Sequence, residues 1–194
     1  MRLTWAVAAA IGSAGVVGAS TLEAEAAKLA SNNPPVDVFA DLNGRWQGEF
    51  VGYSAEGKEL YRISVEQHYR TIDSTTQLVE IIDRDAEGRV TTGKGRNVAT
   101  RRADGTLELT CRVEKSNGET VEHRGALVAA ADGSQQLMWF SSTPSRREVF
   151  REHVHGSGAG AVYEIHGTGM YDGTLIVMHG AYRRVATRSK GSKR

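Results

Sequence analysis

Ten short segments of this chain alternate apolar and polar residues, and the breaks between them have room only for turns. Leu107, Leu109, Cys111 and Val113 alternate with Glu108, Thr110, Arg112 and Glu114. Tyr61, Ile63, Val65 and Tyr69 alternate with Arg62, Ser64, Glu66, His68 and Arg70. Val121, Leu127 and Ala129 share a parity, and so do Leu175, Val177, His179 and Ala181. A period of two marks strands with one buried face. Glu56-Gly57, Glu87-Gly88, Asp104-Gly105, Asn117-Gly118, Asp132-Gly133, Pro144 and Asp172-Gly173 punctuate the segments, and Asp-Gly and Asn-Gly suit tight hairpins because they accept positive φ. The predicted strands are 45–53, 59–70, 75–84, 89–98, 106–115, 119–129, 135–142, 146–155, 160–170 and 174–185. Such short connections exclude parallel crossovers, so neighbours pair antiparallel. An even number of hairpin-linked strands can close with the first beside the last, which removes both edges. The expected fold is all-β, an up-and-down antiparallel barrel of about ten strands; a sandwich of two sheets is the alternative. No amphipathic helix of useful length falls inside the domain, a short one at 35–43 aside.

The segments outside the alternation divide the chain. Residues 1–26 have the shape of a secretory signal peptide: Arg2, an apolar run from Trp5 to Ala19, then small residues, with cleavage expected after Ala19 or Ala26. About 15 apolar residues are short for a membrane span, which needs about 20; an uncleaved anchor is the other reading. Residues 27–40 form a linker in which Pro34-Pro35 stops any helix and extends the chain. The barrel occupies 41–186, and 187–194 is a basic disordered tail able to touch anionic surfaces. Net charge is only +1, which argues against a dedicated nucleic-acid binder. The single cysteine, Cys111, permits no intramolecular disulfide, so an apolar core must hold the fold. Its place between Leu109 and Val113 predicts a buried, inert thiol. Export to a secreted or periplasmic location accords with so few thiols.

Candidate chemistry is sparse. His153 and His155 are two apart on one strand and point the same way, while His166 and His179 fall on the next two strands as prospective neighbours. Without cysteine ligands or a His/Asp cluster at loop spacing, no metal site is expected from them. Glu66, Glu80 and Glu164 are the carboxylates considered for inward faces, each with an arginine as an alternative outward partner. Neither a nucleophile elbow nor His-Glu-x-x-His occurs, and "TTGKGRN" at 91–97 lacks the helix a phosphate loop requires. No catalytic residue is assigned. Tyr61, Tyr69, Trp139 and Tyr163 lie mid-strand and point to a pocket whose polar tips need partners, in a barrel wide enough for a small ligand.

The stretch "DLNGRWQGEF", with Gly44, Trp46 and Gly48, and the closing "HGAYRRV", with Arg183 and Arg184, together resemble the end motifs of calycin (lipocalin-like) barrels. The resemblance implies that Trp46 plugs one end of the barrel and that an arginine of the last strand packs across its ring, a contact that is sound in its own right. Gly44-Arg45-Trp46-Gln47-Gly48 and His179-Gly180-Ala181-Tyr182-Arg183-Arg184-Val185 are similar to the ends of nitrobindin-like domains, which bind haem through a histidine of the last strand. The family's Tyr-Pro-Thr-Ile continuation is missing, and its ligand position falls on Val177 in the natural register; His179, of the same parity, is the residue left for iron. Three expectations follow. The first is an exported, non-catalytic barrel binding a small, largely apolar ligand through Tyr61, Tyr69, Trp139, Tyr163 and His179, with no cofactor. The second is a haem protein acting on reactive nitrogen or oxygen species. The third is an envelope-associated domain with a filled interior.

Overall fold

The computed structural model describes residues 37–130 and 134–186; the expected leader, most of the linker and the basic tail lie outside them. After a 3₁₀ turn at Ala40–Leu42, ten strands follow: β1 (Gly44–Ser54), β2 (Glu59–Asp73), β3 (Thr76–Arg84), β4 (Val90–Arg101), β5 (Leu107–Lys115), β6 (Thr120–Ala129), β7 (Gln135–Ser142), β8 (Arg146–His155), β9 (Val162–Tyr171) and β10 (Thr174–Arg184). Each pairs antiparallel with its chain neighbours, and β1 pairs with β10, so the sheet is a closed barrel. "TTGKGRN" lies in β4.

Turn chemistry and alternation account for this topology. Gly57, Gly88, Gly105, Gly118 and Gly173 all have positive φ, and Asp172 is the one non-glycine residue described with positive φ. Asp172 and Gly173 together set the primed turn that a twisted two-residue hairpin needs. One parity of each strand points inward. Val65, Tyr69, Val79, Leu109, Val113, Leu137, Trp139, Tyr163, Ile165 and Tyr182 belong to the buried core.

Strand direction gives the barrel two unlike ends. The lower end is sealed. Trp46 is 0% exposed, and its indole N–H donates to the Leu42 carbonyl at 2.7 Å, inside the 3₁₀ turn. Phe39 and Leu42 from the same segment are buried beside it. Gln77 donates to the Phe39 carbonyl at 3.1 Å and accepts from Asn97 at 3.1 Å, tying the plug to β3 and β4.

The guanidinium of Arg184 lies 4.4 Å from the centroid of the Trp46 ring. It donates to the carbonyls of Asn43 at 2.5 Å and Asp41 at 2.7 Å. Of the two candidate arginines, the structure therefore selects Arg184. Arg183 has the opposite parity; it sits across from Gln47 and is exposed. The glycines flanking Trp46 serve this contact. Gly44 has φ +125°, and a Cβ there would stand 3.0 Å from Arg184 Nη1. A Cβ on Gly48 would fall 1.9 Å from the Ala181 carbonyl oxygen, so only glycine lets β1 come this close to β10.

Replacing Arg184 with Ala removes two charge-assisted hydrogen bonds and the ring contact, and is expected to cost about 2–4 kcal/mol. Arg183→Ala is expected to stay within about 0.5 kcal/mol. Urea unfolding midpoints of the two variants check both values.

Candidate functional site

Above the plug, the barrel encloses a cavity of about 530 Å³, within the range of about 300–1,000 Å³ typical of small-ligand pockets. The interior is therefore not filled by side chains. Its middle is an apolar belt in which Phe50, Ile63, Ile81, Val121, Phe150 and Met178 take part. Phe50 packs against Tyr61 and Phe150 with ring centroids 6.4 and 6.3 Å apart.

The floor is polar. Glu152, Gln67, Asn97, Tyr69, Trp139, Tyr182 and Cys111 line the cavity. Burial raises the Glu152 carboxyl from its ordinary value of 4.5 to about 7, only partly opposed by hydrogen bonds from Trp139 and Tyr163. Burial, reinforced by Glu152, pushes the Cys111 thiol up to about 12, so it is an inert thiol facing the cavity. Gln67 Oε1 and Asn97 Oδ1 are buried and accept no hydrogen bond from the protein. A carbonyl oxygen buried without a donor costs about 1–3 kcal/mol.

The upper end carries a chain of alternating charge. Lys115 Nζ lies 3.1 Å from Asp83 and 3.8 Å from Glu119. Arg146 contacts Glu119 at 2.6 Å and Glu148 at 2.9 Å. Glu148 is the innermost member, its side chain fully shielded. It lies 2.7 Å from His123 Nε2 and accepts from the Tyr171 hydroxyl. Burial alone would raise its pKa, but hydrogen bonds from His123, Tyr171 and Arg146, with the Arg146 charge, bring it down to about 2. This carboxylate stays ionised as an anchor for its neighbours.

The residues expected at the site separate into three groups. Tyr61, Tyr69 and Trp139 line the cavity. Tyr163 is fully buried one layer lower; its ring packs 5.5 Å from Trp46 and 5.1 Å from Tyr182, and its hydroxyl lies 3.4 Å from that of Tyr69. It supports the floor and does not line the cavity. His179 is a correction: Ile176, Met178 and Tyr182 define the inward parity of β10, so His179 faces out, opposite Val51 on β1 and His166 on β9. No iron inside the barrel can be held by it. Glu66, Glu80 and Glu164 also face outward, Glu80 beside His68 and Glu164 beside His155. Among the described residues, the charged groups on the inward parity around the cavity instead include Asp83, Lys115, Glu119, Arg146, Glu148 and Glu152. The pattern held a signal for two of these, since Glu148 and Glu152 flank Phe150 at the same parity.

The chain matches no protein-family model and no curated protein. Among solved structures, it is similar to the S-type phycobiliprotein lyase CPES from Guillardia theta, with a TM-score of 0.57 at 8% identity over 83% of this chain and 98% of that one. A de novo designed fluorescence-activating β-barrel aligns over 77% of this chain and 99% of its own, with a TM-score of 0.36 and 15% identity. The likeness to the lyase is one of fold.

Because folding raises the Glu152 pKa, the folded state holds a proton that the unfolded chain has released between about pH 4.5 and 7. Glu152 therefore subtracts stability as pH rises through that window. Glu152→Gln is expected to raise stability by roughly 1–3 kcal/mol at pH 8 and to change it little at pH 4.5. Denaturant titrations at the two pH values read the difference.

Proposed function

We propose that this protein is an exported, non-catalytic, calycin-like barrel that binds one small, largely apolar molecule carrying an N–H or O–H donor at its leading end. The observation that carries the reading is the pairing of an apolar cavity of about 530 Å³ with unpartnered acceptors at its floor, Gln67 Oε1 and Asn97 Oδ1. The apolar belt supplies affinity without direction, and the floor supplies orientation. Solvent reaches the partly exposed charged side chains of Lys115, Glu119 and Arg146, which makes the upper end the route in. The Arg184–Trp46 contact supports the calycin-like assignment. The leader at 1–26 supports export. The outward parity of His179 supports a barrel that works without haem.

Trp139 lines the cavity while Trp46 is sealed beneath it, so intrinsic fluorescence reports occupancy. An apolar amine or alcohol of matching size is expected to quench wild-type emission saturably and to lose most of that response in Trp139→Phe. Gln67→Leu combined with Asn97→Leu is expected to weaken such probes about 5–30-fold, while a hydrocarbon of the same shape is held equally well. Equal loss for both probes, or no saturable quenching by any of them, would overturn the reading. Native mass spectrometry of protein from its own host identifies the natural occupant.

A further inference from the structure

Four of the chain's six histidines gather on one patch of the outer wall: His153 and His155 on β8, His166 on β9 and His179 on β10. Glu164 of β9 lies among them, opposite His153 in register. The concentration matters because the donor atoms converge. We propose that Glu164, His166 and His179 form a binding site for a borderline divalent transition-metal ion, Zn²⁺ in the first instance, on the outside of the barrel and independent of the cavity.

The site is built from strand register. His166 and His179 stand directly opposite one another on β9 and β10. Outward side chains so paired have Cβ atoms about 5 Å apart, and the two rings are 4.7 Å apart with planes 32° from parallel. Glu164, two residues before His166, projects from the same face, and its carboxylate lies 3.8 Å from His166 Nε2. One ligand atom from each of the three lies within 4.8 Å of the other two.

Zinc bonds of about 2.0–2.2 Å in a tetrahedron put donors about 3.4 Å apart. Closing the set takes about an ångström of side-chain movement, well within the rotamer freedom of half-exposed imidazoles. Three protein ligands leave the fourth position to water, an arrangement zinc commonly takes. Two imidazoles and one carboxylate favour Zn²⁺, Ni²⁺ or Cu²⁺ over the hard cations Mg²⁺ and Ca²⁺.

The neighbours have defined parts. His155 Nε2 lies 3.0 Å from Glu164 Oε2, placed to orient the carboxylate as outer partners of metal ligands do. His153 packs on His155 with ring centroids 3.9 Å apart. Arg151, across from His166 on β8, is a like charge that limits the affinity.

The test is calorimetric titration of the tag-free full chain with zinc chloride. One ion per chain is expected to bind with micromolar affinity, and magnesium is expected to give no heat. His166→Ala and His179→Ala should each weaken zinc about tenfold or more, and the double variant should abolish binding. His155→Ala should cost less, and His153→Ala combined with His155→Ala should still bind one ion. Cobalt substituted for zinc should show the visible bands of a low-symmetry nitrogen and oxygen site, lost in the His166/His179 double variant. Unchanged melting of the zinc-free variants confirms intact folding. Absence of saturable binding, equal binding of magnesium, or zinc binding that survives loss of both His166 and His179 would each overturn the proposal.

Discussion

The barrel depends on one contact between its two ends in sequence: the Arg184 guanidinium lying on the Trp46 indole. An indole with a single donor is costly to bury unless that donor is used, and Trp46 spends it on the Leu42 carbonyl. That bond folds the preceding 3₁₀ turn under the barrel and leaves the carbonyls of Asp41 and Asn43 in need of partners. Arg184 supplies both with one planar group while covering the ring. A lysine lacks the fork needed to meet two carbonyls and a ring face together. The same contact fixes the register of β1 against β10, and with it which parity of every strand looks inward.

From that register the interior divides into layers. The plug and the packed Tyr69–Tyr163–Tyr182 aromatic group form the base. Glu152, Gln67 and Asn97 form a polar floor, the Phe50 and Phe150 level an apolar belt, and Arg146 with Glu148 a paired collar. Two carboxylates on one strand, four residues apart, thus have opposite ionisation behaviour. Glu148 is compensated by three donors, one of them the cation Arg146. Glu152 is buried with weaker support and holds its proton close to neutrality.

Much of the architecture was legible from alternation and turn residues, because a period of two with glycine at positive φ admits few alternatives. The end motif was legible too, since Gly44, Trp46 and Gly48 have a steric reason to stand together. The facing of β10 was not. Leu175 and Val177 are both 41% exposed, while Ile176 and Met178 of the other parity face the cavity. With apolar residues on both faces, the pattern carries no sign, and pairing with β1 and β9 settles that His179 faces out. The charged collar escaped for a related reason. Asp83, Lys115, Glu119 and Arg146 sit at or beside strand ends, where charge ordinarily marks a hairpin turning into water.

Closure of the sheet through its first and last strands also orders events in time. Nine strands can emerge from the ribosome and pair in sequence, yet β1 keeps an unmatched edge until β10 arrives, some 120 residues after the end of β1. Such distant partners slow the final step, and an open edge meanwhile invites wrong pairing. Truncating even the last dozen described residues removes both the seam and the clasp at once.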